Sequence, residues 1–141
     1  MGGPPPELTH ATCRVDFALP ATTEAVAEAR RCVRYFLGAW HAAETGDTAA
    51  LVVSELFTNA VTHTDNSSVV CVLAVTERQV LIQVEDHGTR PSALTAQHVP
   101  LYEERGRGLL LVDAVSQHWG ATRSEGGSGL VVWATLNAAP E

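Results

Sequence analysis

Glu55 and Asn59 stand four residues apart, so in a helix they share one face, a single turn from each other. A carboxylate that can accept a proton, next to an amide oxygen that can face a divalent cation, is a pair suited to work on a hydroxyl group. On pattern frequency alone such a pair is more often a solvated helix face. Leu51, one turn earlier, extends the stripe with an apolar residue, so this face is not uniformly polar. His63, one turn later, reads as a structural histidine, since a cation is favoured near a helix C-terminus.

A second constellation is Asp86-His87-Gly88. An acid pointing inward from a strand end needs a donor, because burying it unpaired costs several kcal/mol. The exocyclic amino group of a base would serve, and Gly88 would let a planar ligand come close to the backbone. A third is Gly106-Arg107-Gly108-Leu109, preceded by Arg105. A helix N-terminus offers free N–H groups and partial positive charge to phosphates, and Arg105 and Arg107 add charge-assisted donors. Each of the three is a weak signal when taken alone.

The elements that must position these residues follow from periodicity. Cys13, Val15, Phe17 and Leu19 alternate with Thr12, Arg14, Asp16 and Ala18, which predicts a half-buried strand ended by Pro20. Residues 22–38 carry Val26, Ala29, Val33, Phe36 and Leu37 at helical spacing, with Thr22 or Thr23 as cap. Gly38 and Gly46 bracket a loop, and a second helix runs from Asp47 as N-cap to about Thr64. Residues 69–75 are apolar on both faces and predict a central strand; a tight turn at Glu77-Arg78 leads to a strand over 80–86. There Val80, Ile82, Val84 and Asp86 share one face. Residues 88–105 lack a period and predict a lid. A helix from Leu109 to about His118 comes next, then strands over 121–124 and 130–136 joined by a Gly-rich turn. The expected fold is an α+β two-layer sandwich, a mixed, mainly antiparallel sheet covered on one face by helices. One domain spans 11–138, and residues 1–10 are expected to be a disordered tail.

Composition removes several classes of function. The 9 basic residues are all Arg, so neither a Schiff-base lysine nor a phosphate-loop lysine is present. A net charge of −7 argues against direct nucleic-acid binding. No apolar run approaches the roughly 18 residues that span a bilayer, so no membrane role is expected. Cys13, Cys32 and Cys71 are odd in number and widely spaced, which suits a reducing, cytoplasmic setting.

Taken in order, Glu55-Leu-Phe-Thr-Asn59, Val84-Glu-Asp86-His-Gly88, Gly106-Arg-Gly108-Leu-Leu-Leu-Val and the late Gly-rich hairpin resemble the GHKL (Bergerat-fold) ATP-binding domain. Within it the chain is similar to the single-domain RsbW/SpoIIAB group of anti-sigma factors and serine protein kinases, over about 15–136. The resemblance implies ATP and Mg²⁺ as cofactors. It makes Glu55 the general base, Asn59 the Mg²⁺ ligand and Asp86 the partner of the adenine amino group. Gly88 becomes the clearance for the ring, and Gly106 and Gly108, with Arg105, Arg107 and Leu109 around them, hold the phosphates. It further implies phosphorylation of a Ser or Thr on an antagonist protein, with a sigma factor as a second partner; sequestration without phosphotransfer is the alternative. The sequence departs from the family pattern at Arg90, where a second glycine is usual, and at Val131, where a Thr often meets the base. The catalytic half of a sensor histidine kinase is less expected, because only about 20 residues precede the first helix. The Cys13–Leu19 strand at a sheet edge would serve a homodimer, or Arg14 and Asp16 would protect that edge; the sequence leaves both readings open.

Overall fold

A computed structural model describes residues 3–6, 11–62, 68–86, 106–123 and 129–138, with backbone only for 106–109. In chain order the elements are β1 (Cys13–Pro20), α1 (Glu24–Ala39), a short 3₁₀ turn (Ala43–Thr45), α2 (Gly46–Thr62), β2 (Ser68–Val75) and β3 (Gln79–Asp86). They are followed by α3 (Gly106–Val115), β4 (His118–Arg123) and β5 (Leu130–Asn137). The strands form one sheet in the order β1-β2-β3-β5-β4, and all four pairings are antiparallel. This is an α+β sandwich, as the periodicity predicts.

The alternation of β1 is realised: Cys13, Val15, Phe17 and Leu19 are half-buried and their neighbours are exposed. Pro20 is the last residue of the strand, tolerated because β1 is an edge. The β2–β3 turn is held by Thr76, whose Oγ1 accepts N–H bonds from Arg78 at 3.2 Å and Gln79 at 3.0 Å. Short polar side chains that bond nearby backbone in this way stabilise turns.

Helix α1 buries Ala25, Ala29, Val33 and Leu37, a stripe repeating every four residues. Its first turn is capped by the hydroxyl of Thr22, which accepts the Ala25 N–H at 3.2 Å. Its far end differs from the expected stop at Gly38. The His41 N–H bonds the Gly38 carbonyl and the Ala42 N–H bonds the Leu37 carbonyl, a Schellman closure with buried Ala42 above buried Leu37. The left-handed position falls on His41, at φ 63°, and Gly38 stays inside the helix. Helix α2 starts at Gly46, so Asp47 is a first-turn acid and not the cap; there it accepts a bond from Arg34 at 3.1 Å.

The C-terminal boundaries also shift. Helix α3 begins at Gly106 and ends at Val115, because the Gln117 N–H bonds the Thr135 carbonyl and starts the β4–β5 ladder. The indole of Trp119 ties the two elements by donating to Asp113 at 2.8 Å. Helices pack on one face of the sheet. Leu37, Val53, Phe57 and Val112 from the three helices share a core with Leu73, Ile82 and Ala134 from the strands.

Candidate functional site

Along the Leu51-Glu55-Asn59 stripe of α2, burial deepens turn by turn. Leu51 is 37% exposed, Glu55 is half-buried and Asn59 is 8% exposed. The adjacent Ser54 is committed to structure, donating to the Ala50 carbonyl at 2.8 Å and accepting from Arg30 at 3.1 Å. Glu55 has no ion-pair partner among the described residues, unlike Glu28 and Asp47, which are held by Arg31 and Arg34. The backbone carbonyl of Asn59 accepts the Thr62 hydroxyl at 2.8 Å, while its side-chain amide makes no hydrogen bond within the described residues. A half-buried carboxylate and an unengaged amide therefore lie one turn apart.

Asp86 closes β3 at 5% exposure. Alternation places it on the helix side with Val80, Ile82 and Val84, and the register sets it between Val69 of β2 and Leu130 of β5. Its carboxylate thus has apolar residues on both flanking strands. The same register fixes the face of Val131. It pairs with Glu85, and its side chain lies on the opposite face from Asp86. Leu130 and Val132 are the β5 residues on the Asp86 side. The strict alternation of β5 carries that placement.

Glu55, Asn59, Asp86 and the start of α3 stand on the parts of their elements away from the pocket that marks the opposite end of the sheet. That pocket, of about 210 Å³, is lined by Thr45 and Thr48 at the start of α2, Val115 at the end of α3, and Leu136, Asn137 and Ala138 at the end of β5. Because β5 runs antiparallel to β3, this pocket marks the end of the sheet where β3 begins. The other ends of all three elements point away from it: the C-terminal half of α2 with Glu55 and Asn59, the end of β3 with Asp86, and the start of α3. Gly106, Arg107, Gly108 and Leu109 are the first four residues of α3, whose N–H groups have no acceptor within the helix. This set of four places backbone donors where anionic groups are favoured. Gly88, Arg105 and His63, together with the lid over 88–105, lie outside the described residues.

Other chemistry finds little support. All three cysteines are free, and burial pushes the Cys71 thiol up to about 12, so it stays protonated and unreactive. Among the described residues no group of three or more His, Cys, Asp or Glu could hold a metal by itself. Mg²⁺ needs no such cage, because it is usually bound by one or two protein oxygens together with phosphates and water. The unengaged amide of Asn59 fits that role. No helix among the described residues is long and apolar enough to cross a membrane.

A family model described as a histidine kinase-like ATPase domain matches residues 19–136. No curated protein matches the chain.

Proposed function

The chain belongs to the histidine kinase-like ATPase domain family and so is an ATP-binding domain, and from that premise we propose that it is a protein serine/threonine kinase of the anti-sigma type. In this reading Asp86 accepts the adenine amino group and Gly88 makes room for the ring. The start of α3, with Arg105 and Arg107, receives the phosphates. Mg²⁺ held through Asn59 would offset the charge of the transferring phosphoryl group. Glu55 accepts the proton of a Ser or Thr hydroxyl on an antagonist protein as the hydroxyl oxygen attacks the γ-phosphorus. The bond from that phosphorus to the bridging oxygen breaks and ADP leaves. A sigma factor is the second partner, and β1, an edge strand among the described residues, offers a surface for a second copy.

The observation that carries the catalytic part is the half-buried Glu55 without an ion-pair partner among the described residues, one turn from the unengaged amide of Asn59. Sequestration without transfer is the second reading, supported by Arg90 standing where the family's second glycine is usual. Incubation with γ-labelled ATP, Mg²⁺ and a candidate antagonist separates the two. Transfer by the parent and a loss of at least a hundredfold in Glu55→Ala, with ATP affinity kept, is the expected result. Equal labelling by parent and variant would contradict the role of Glu55.

A further inference from the structure

A cavity that the proposed reaction leaves unused lies at the end of the sheet away from Asp86, between the starts of α2 and the ends of α3 and β5. Its walls are fixed by backbone bonds. The Thr45 N–H donates to the Ala42 carbonyl at 3.1 Å, the Gln117 N–H just past α3 donates to the Thr135 carbonyl at 2.8 Å, and the Ala138 N–H just past β5 donates to the Arg78 carbonyl at 2.9 Å. The pocket is therefore preformed. Its volume of about 210 Å³ lies below the roughly 300 Å³ at which drug-sized ligands begin to fit, so it suits a small molecule.

Four of its lining side chains are polar: Glu44, Thr45, Thr48 and Asn137. None of the four makes a side-chain hydrogen bond or ion pair among the described residues. For an exposed glutamate that is ordinary; for Thr45, at 7% exposure, it is not, because buried hydroxyls are nearly always paired. The side-chain oxygens that are both unpartnered and sealed from solvent among the described residues belong to Ser116 and Thr135. The Thr45 oxygen is thus open, and the space it lines is the pocket.

Charge at the pocket has one sign. Glu44 is the charged residue on its wall, with no Arg or His beside it among the described residues. Neighbouring Asp47 is matched by Arg34 at 3.1 Å. Helix α3 ends at the pocket with no basic residue in its last turn, so the partial negative charge of that terminus is not offset by the helix's own side chains. Val115 and the buried Leu136 add an apolar wall, which a bare metal ion would leave unused. A cationic head with several N–H donors on a short apolar stem answers both the oxygens and the wall. We propose that this pocket binds a small primary alkylammonium ion, its head held by Glu44 and the hydroxyl of Thr45 and its stem against Val115 and Leu136. The 141 residues include no Lys, so no side chain of the chain itself supplies that head.

The test is NMR titration of the full-length chain with pentylamine hydrochloride at neutral pH and fixed ionic strength, read at the Val115 methyl groups and at Thr45. Pentanol and sodium pentanoate serve as the neutral and anionic counterparts. Saturable shifts with pentylamine, an affinity at least tenfold weaker for pentanol and no saturation with pentanoate are expected. Glu44 is exposed, so Glu44→Gln should keep the parent's melting temperature and bind pentylamine at least tenfold more weakly. The Thr45 hydroxyl has no partner to lose, so Thr45→Val should also keep the fold and weaken the amine about threefold or more. Equal affinity for pentylamine and pentanol, or pentylamine affinity unchanged in Glu44→Gln, overturns the proposal. Should Glu44→Gln not fold, unchanged affinity in Thr45→Val overturns it as well. Competition by ATP and Mg²⁺ for the same resonance shifts would place the amine in the nucleotide site and contradict a separate pocket. The amide of N-acetyl-lysine, with the same head on a bulkier body, should bind no more tightly than pentylamine; tighter binding overturns a free amine in favour of a partner's lysine.

Discussion

Leu81 and Val84 sit three residues apart on β3, and both are buried, but by different means. Val84 faces a layer of three helices and joins a core that includes Phe57, Leu37 and Val112. Leu81 faces away from every described helix and joins a cluster of only Ala74 and Trp133, with Ala11 packed against it. Among the described residues one face has the cover of three helices, and the other has none from a helix, with Trp133 opposite Gly120 at its centre. The helix side fixes the parts of α2 and β3 that carry Glu55, Asn59 and Asp86.

The largest effect should come from breaking the helix side. Phe57 is fully buried between α2 and the sheet, so Phe57→Ala should cost ~3–5 kcal/mol of stability, read from urea unfolding. A loss below about 1 kcal/mol would mean that the helices contribute far less cover than their burial implies.

Gly120→Ala probes the outer side. Its Cβ would stand 2.9 Å from Cζ2 and 3.1 Å from Nε1 of Trp133, so the indole must tilt. Overpacking of this kind costs ~1–3 kcal/mol. Shortening the indole in the double variant with Trp133→Leu should remove most of the strain attributable to position 120, which a double-mutant cycle measures. Additive losses would show that Gly120 is not there to seat the indole.

Smaller still is the pH response of Cys71, on the helix side between β1 and β3. Desolvation raises its folded pKa from 9.0 to about 12, so the native state holds the proton that the unfolded state has released. The stability from this thiol is fully present below about pH 9 and falls as pH rises toward 12, by up to ~1.4 kcal/mol per pH unit. Cys71→Val should flatten that alkaline slope in melts between pH 9 and 10.5. An unchanged slope would mean that the thiol is more hydrated than its burial indicates.

How much of this is legible in the sequence differs between the two faces for a physical reason. Period-two alternation reports which side chains share a face, so the inward set Val80, Ile82, Val84 and Asp86 can be read from residue types alone. The i, i+4 spacing likewise gives the Glu55 and Asn59 stripe its helix. Alternation does not say what covers the second face. Trp133 and Gly120 lie on consecutive strands, and only the β4–β5 register makes them opposite partners. Glycine is the usual left-handed residue, so the sequence points to Gly38 as the end of α1, while the Ala42–Leu37 contact places the closure later, on His41. Periodicity starts α3 late, at Leu109, because Gly106 and Gly108 read as a turn; glycines are nonetheless tolerated in a first turn whose N–H groups have no partner within the helix.

Calorimetric titration of ATP, with and without Mg²⁺, into the parent and Asp86→Asn tests the proposed adenine-nucleotide binding through Asp86 on the helix side of β3. Asp86 is buried at a strand end, so the melting temperature of the variant is measured alongside. Saturable, Mg²⁺-strengthened binding by the parent is expected, with a loss of at least tenfold in affinity in Asp86→Asn, larger than any loss of fold, as follows when a charged hydrogen-bond acceptor is removed from a binding site. Binding of ATP to Asp86→Asn as tight as to the parent would contradict it and leave Asp86 as the residue that ends a strand.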